Sequence, residues 1–164
     1  AMYQAKSQGK NTWAIYDSAR DVSESMMQRM SWRDRIAQAL DQGLFELHFQ
    51  GVCATADRQL RHAEVLIRMH DAEQPEQLIL PGQFIPYAEK TGQILDIDRW
   101  VIRRSIELLA AHDDLPPLAI NISGRSFDEP DLPLYTRNLL MEHKVDPGRL
   151  IIELTETAAV SDIQ

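Results

Sequence analysis

Leu118-Ala119-Ile120-Asn121-Ile122 and Leu150-Ile151-Ile152-Glu153-Leu154 decide the architecture. Each is a short apolar run broken by one polar side chain, and a stretch of helical pattern over residues 132–143 lies between them, closed by the turn Pro147-Gly148. Short apolar strands separated by helices make a parallel sheet with right-handed crossovers. Working back from Leu118, Pro116-Pro117 ends an amphipathic helix over residues 95–112, carried by Ile97, Trp100, Val101, Ile106, Leu108 and Leu109. A shorter helix over residues 81–90, with Gly92 beyond its end, comes before it.

Further upstream the period changes to two. Phe45-Glu46-Leu47-His48-Phe49 alternates, residues 60–69 form a second strand-like run, and the polar residues 54–59 between them mark an antiparallel pair. Trp32, Ile36, Ala39, Leu40 and Leu44 trace a helical stripe, with Ser31 and Asp34 as a capping-box-like start. Residues 18–30 are polar and read as a helical connecting segment, in which Met26, Met27 and Met30 are expected to pack. The opening residues 1–17 read as the tail of an upstream unit: a helix end closed at Gly9, then the short β-prone run Thr12-Trp13-Ala14-Ile15-Tyr16. The expected division is therefore 1–17 tail, 18–33 linker and 34–164 main domain.

The composition excludes several classes. Hydrophobic residues at 44% and charged residues at 26% are a globular mixture, not a disordered one. A formal charge of -8 sets an average field that repels a phosphate backbone, so neither DNA nor RNA is an expected partner. Cys53 is the only cysteine, which rules out an intramolecular disulfide and fits a cytoplasmic setting; it is expected to be a small buried side chain. No apolar run approaches the roughly 20 residues of a membrane-spanning helix.

Three polar groups sit at or near strand ends: Glu64, Asn121 and Glu153. Alternation puts Glu64, Leu66 and Arg68 on one face, and turns Asn121 away from whatever Ile120 and Ile122 pack against. A carboxylate or carboxamide is costly to bury there without a partner. Two carboxylates and an amide carbonyl offer oxygen only, a set suited to Mg²⁺ or Mn²⁺ rather than Zn²⁺. In βα barrels the chemistry gathers at the carboxyl ends of strands, where Asn121 and Glu153 fall. Plainer readings stand beside this one: a Glu at a sheet edge, an Asn capping a turn, and Arg68 in a surface salt bridge. Asp96 and Asp98 read as N-terminal helix charges. His48, His62, His70, His112 and His143 show no metal-binding spacing.

Taken in order, Phe49-Gln50, Ala63-Glu64-Val65-Leu66-Ile67-Arg68, Pro81-Gly82-Gln83-Phe84-Ile85-Pro86-Tyr87-Ala88-Glu89-Lys90-Thr91-Gly92, Asn121-Ile122-Ser123 and Glu153-Leu154-Thr155-Glu156 resemble the EAL domain of cyclic di-GMP phosphodiesterases. The opening Ala1-Met2-Tyr3, Ala5-Lys6 and Gly9-Lys10-Asn11, through Tyr16-Asp17, resembles the C-terminal end of a GGDEF diguanylate cyclase domain.

The resemblance implies an α/β fold, a TIM-like barrel with one antiparallel strand, of which this chain holds the first half. It implies hydrolysis of cyclic di-GMP to pGpG with Mg²⁺ or Mn²⁺. Glu64, Asn121 and Glu153 match metal-ligand positions, Glu64 also being catalytic. Gln50, Leu66 and Arg68 match positions that contact the dinucleotide, and Glu156 one that anchors a loop. The implied partners are cyclic di-GMP, an upstream GGDEF domain of the same protein, and a second copy in a homodimer that covers an open sheet. The parent protein is expected in the cytoplasm, with or without a membrane tether. Val65 replaces the alanine of the family signature, and Gly51 stands where the family usually has proline. The family's later aspartates, lysine, glutamate and glutamine have no counterpart, so this chain alone is expected not to turn over. A non-catalytic module that binds cyclic di-GMP or relays regulation is the alternative reading.

Overall fold

In the computed structural model the described residues are 18–154, with side chains described from residue 26 onward. The opening tail and Glu156 lie outside them. The elements are α1 (Ser18–Gln42), β1 (Phe45–Cys53), β2 (Leu60–His70), β3 (Leu78–Ile79), α2 (Pro81–Thr91), α3 (Ile94–Ala111), β4 (Leu118–Ile122), α4 (Gly124–Phe127), α5 (Leu132–Glu142), a 3-10 turn (Pro147–Arg149) and β5 (Leu150–Leu154). They form a mixed sheet in the order β1-β2-β4-β5, with β3 paired to β2. β1 is antiparallel to β2, whereas β2, β4 and β5 are parallel neighbours. This is the expected α/β arrangement; the described strands make an open sheet ending at β1 and β5.

One face of the sheet carries the core. Phe45, Val65, Met69, Ile120 and Ile122 are buried with Ile36 and Ala39 of α1, Phe84 and Ala88 of α2, and Ile97, Val101, Ile106 and Leu109 of α3. Burying each large aliphatic or aromatic side chain contributes about 1.5–3 kcal/mol. Phe45 packs between Phe84 and Trp100 at ring separations of 5.8 and 5.5 Å.

Several elements depart from the sequence reading. α1 runs unbroken through Ser31, so the capping-box start at that serine does not form. No Gly or Pro interrupts residues 18–42, and Gly43 at φ +69° ends the helix. Met26, Met27 and Met30 are 58%, 62% and 59% exposed rather than packed, since Trp32 is the first described α1 side chain to meet the core. From Trp32 on the helix is tied down. Trp32 stacks on Tyr87 at 5.5 Å, Arg35 lies over Trp32 and pairs with Asp71, and the Gln93 amide donates to the Arg33 carbonyl. Cys53 is exposed, not buried, because it ends β1 beside a register shift at Val52/Cys53. β3 and α4 have too few residues to show a period and were not anticipated. No described helix is long and apolar enough to cross a membrane.

Arg149 links the two parallel crossovers. Its guanidinium donates to the carbonyls of Leu109 (2.9 Å), His112 (2.9 Å) and Leu115 (3.2 Å), at the end of α3 and in the loop that leads to β4. It thereby ties the residue just before β5 to the chain that enters β4. Arg149→Ala is expected to lower stability by about 1–2 kcal/mol in urea melts, since it strands several carbonyls at a half-buried site. Ser105 lies at the opposite extreme: its hydroxyl is fully buried with no partner among the described residues. Ser105→Ala is expected to raise the same midpoint by an amount on the order of 1 kcal/mol.

Candidate active site

The uncovered face of the sheet collects the polar side chains. In β1 and β2 the register sets Gln50 opposite Glu64, His48 opposite Leu66 and Glu46 opposite Arg68. Glu64 is the register partner of Ala119 in β4, and Asn121 that of Glu153 in β5. Cross-strand partners share a face, so Gln50, Glu64, Leu66, Arg68, Asn121 and Glu153 all lie on the same side. Val65 is 4% exposed on the covered face, which makes its replacement of alanine a core matter and leaves the polar face unchanged.

Two of the expected donors touch. The Asn121 Nδ2 donates to Glu64 Oε1 at 3.0 Å, between half-buried side chains. With Nδ2 turned to Glu64, the amide oxygen has no partner among the described residues. Glu153 lies in register beside Asn121 and is exposed. Glu64, Asn121 and Glu153 thus offer hard oxygen donors from three adjacent strands, chemistry that suits Mg²⁺ or Mn²⁺. Among the described residues no group of three or more His, Cys, Asp or Glu is disposed to hold a metal, so the donor set depends on the amide of Asn121. Arg68 forms no ion pair among the described residues; one guanidinium nitrogen donates to the Ile67 carbonyl. The surface salt bridge considered for it does not form among the described residues, which leave the rest of its donor fork available.

Asp98 escaped the sequence reading. It is not a surface charge of the first helical turn but a carboxylate only 4% exposed, on the same stripe as Ile94, Ile97, Val101 and Ile102. Its Oδ2 accepts from the Ser123 backbone N–H at 3.0 Å and from the Ser123 hydroxyl at 2.7 Å. Burial pushes its carboxyl above the usual range, and the bonds from Ser126 and Ser123 pull it back. The signal was present in the spacing, since a residue four after Ile94 and three before Val101 falls on the buried side of α3. His48 and His70 are also less solitary than their spacing suggested. Glu46 accepts from His48 at 2.6 Å and pairs with His70 at 2.9 Å.

Fold and donors define an α/β protein with an oxygen-only polar centre on the open face of its sheet. Residues 33–164 match the EAL domain family, and the chain belongs to it. The chain is 33% identical over 168 residues to the bifunctional diguanylate cyclase/cyclic di-GMP phosphodiesterase MucR of Pseudomonas aeruginosa, covering 99% of this chain and 24% of that protein. It is 28% identical over 146 residues to the cyclic di-GMP phosphodiesterase PdeF of Escherichia coli, covering 87% of this chain and 19% of that protein. Among solved structures, the MucR phosphodiesterase in complex with c-di-GMP superposes with a TM-score of 0.71 at 32% identity, over 80% of this chain and 54% of that one. The FimX EAL domain from Pseudomonas aeruginosa bound to c-di-GMP gives a TM-score of 0.71 at 31% identity, over 79% and 52%. The chain therefore spans about a quarter or less of these curated relatives, and about half of the solved chains.

The Glu46–His70 pair has a pH signature. The hydrogen bond from His70 holds the Glu46 carboxyl below its ordinary 4.5, and the bond to Glu46 raises His70 above its ordinary 6.5. A lowered carboxyl stabilises the fold above its ordinary value and loses that effect as pH falls through the lowered one. A raised imidazole stabilises below its ordinary value and loses the effect as pH rises through the raised one. The stability difference between wild type and Glu46→Gln in urea melts is thus expected to peak between pH 4.5 and 6.5 and shrink on both sides. Added salt should flatten the peak, because both side chains are open to water.

Proposed function

We infer that the chain carries part of the site of a divalent-metal-dependent cyclic di-GMP phosphodiesterase, which hydrolyses one phosphodiester of cyclic di-GMP to leave pGpG. The observation that carries this reading is the Asn121–Glu64 contact on the open face, with Glu153 in register beside it. Family membership supports it, since EAL phosphodiesterases are generally divalent-metal dependent. Glu64, Asn121 and Glu153 would hold the metal, Glu64 also acting as a catalytic residue. A bound divalent ion lowers the pKa of coordinated water and offsets charge on the leaving oxygen. Arg68 presents its free donors to a phosphate, as a planar fork does well. Gln50 and Leu66 border the same face and would contact the dinucleotide, and Glu156, two residues beyond β5, would anchor a loop.

Wider features go with this reading: residues 1–17 as the end of a GGDEF domain, 18–33 as a linker, 34–164 as the first half of a TIM-like barrel, a homodimer, and a cytoplasmic place of action. Ile152 and Leu154 of β5, each 46% exposed, are the apolar surface that a second copy or further barrel strands would cover.

Water would fill the positions that three protein donors leave open on an octahedral ion. With no counterpart for the further aspartates, lysine, glutamate and glutamine that the resemblance implies, this 164-residue chain alone should not turn over. In Mn²⁺ titrations followed by electron paramagnetic resonance, Glu64→Gln and Asn121→Ala are each expected to weaken binding about tenfold or more. Arg68→Ala should leave Mn²⁺ binding unchanged and weaken cyclic di-GMP binding in calorimetry. Mn²⁺ affinity indifferent to both Glu64 and Asn121 would remove the metal site. Cyclic di-GMP bound equally with and without metal would favour the non-catalytic module, and pGpG formed above a no-protein control would refute the inactivity of the chain alone.

A further inference from the structure

We propose that Asp98 is a positioning residue for the Asn121–Glu64 centre: from α3 it grips Ser123, two residues beyond Asn121, and so fixes where the Asn121 carboxamide lies. The relevance to catalysis rests on the metal-site reading above, whereas the mechanical link does not.

The geometry is specific. β4 ends at Ile122, and the chain turns at Ser123 into the four-residue helix α4. A helix that short has little stability of its own, because nucleation is costly and one turn recovers little. Its start is held from outside. The Ser123 hydroxyl donates to Asp98 Oδ2 at 2.7 Å, and the Ser123 N–H donates to the same oxygen at 3.0 Å. With its own proton spent on Asp98, the Ser123 oxygen accepts from the Ser126 N–H at 3.2 Å and lies 3.1 Å from the Ser126 hydroxyl. Asp98, Ser123 and Ser126 thus form one chain of bonds, and all three are buried.

A buried carboxylate is a poor way to stabilise a core. An apolar side chain at position 98, amid Ile94, Ile97 and Val101, would avoid the desolvation cost. What Asp98 supplies instead is direction, since its two bonds fix the backbone N–H and the side chain of one residue at once. Asp98, Asn121 and Ser123 line one cavity of about 360 Å³, together with Leu66; Glu64 and Glu153 do not line it, so the grip reaches the candidate site through Asn121. If Ser123 turns, the short backbone link through Ile122 carries the turn to Asn121, and the 3.0 Å contact with Glu64 opens.

The test uses the 164-residue chain and two readouts. Without metal, the Asn121 side-chain amide protons in ¹⁵N-resolved NMR should be distinct and slow to exchange in wild type, and should merge with those of solvent-exposed amides in Asp98→Ala and Ser123→Ala. Asp98→Asn keeps an acceptor oxygen and should retain the wild-type signals. With Mn²⁺ added, Asp98→Ala and Ser123→Ala should weaken binding about tenfold, the usual effect of losing a group that orients a ligand, and Asp98→Asn should restore most of it. Should Asp98→Ala fail to fold, Ser123→Ala decides, since it keeps the backbone bond to Asp98. Unchanged Asn121 signals in Ser123→Ala and in any folded Asp98→Ala would overturn the proposal. A wild-type chain that takes up no Mn²⁺ would instead overturn the metal site, leaving the Asp98 link to be judged on the metal-free Asn121 signals.

Discussion

The contact between the Asn121 carboxamide and the Glu64 carboxylate is the constraint on which the rest of the molecule turns. Two strongly solvated groups have been placed between aliphatic neighbours, Glu64 between Ala63 and Val65 and Asn121 between Ile120 and Ile122, each half-withdrawn from water. Such groups tolerate this position only by satisfying one another or by binding something charged. They meet diagonally, because Glu64 is level with Ala119 and Asn121 is two residues further along β4. A slip of one residue in either strand would turn the whole polar set into the core and the core set into solvent. The register of β2 against β4 is therefore a functional quantity as much as a structural one.

Several devices hold these strands in place. Ala63, Val65, Leu118, Ile120 and Ile122 are buried under α1 to α3, so the alternation of β2 and β4 is locked by apolar burial. Arg149 ties the turn before β5 to the loop before β4 through several carbonyls, which aligns Glu153 with Asn121. Asp98 fixes the other end of β4. The first two act on where the strands lie; Asp98 acts on how one of them ends. That division explains why a titratable group is found in α3 at a place where a hydrocarbon would pack more cheaply.

What the sequence disclosed follows from what periodicity can carry. Leu118–Ile122 and Leu150–Leu154 were legible to the residue, because runs of Leu and Ile beside Pro and Gly leave little freedom in where a strand begins. α2 and α3 were also legible within a residue or so, through Gly92 and the paired prolines at 116 and 117. β3 and α4 were not, since two or four residues cannot express a period. The methionines of α1 and Cys53 were misjudged for one shared reason: apolar character says what a residue tolerates, not whether the fold supplies a neighbour there. Asp98 was misjudged for the converse reason. A charge in the early part of a helix has a ready surface role, and that role hid its place on the buried stripe.

The same logic separates the two departures from the family signature. Val65 points into the core, where exchanging alanine for valine adds volume that the packing of α2 and α3 must absorb, and the polar face is untouched. Gly51 lies next to Gln50 on β1, and a Cβ there would meet the Leu60 Cδ1 at 3.0 Å, a contact with the tip of a flexible side chain. Its effect is on the stiffness of the strand that presents Gln50, not on the donors themselves. The three candidate oxygen donors, Glu64, Asn121 and Glu153, are all retained. Both substitutions alter the frame around the donors, which is why they weigh less against hydrolysis than the loss of a single carboxylate would.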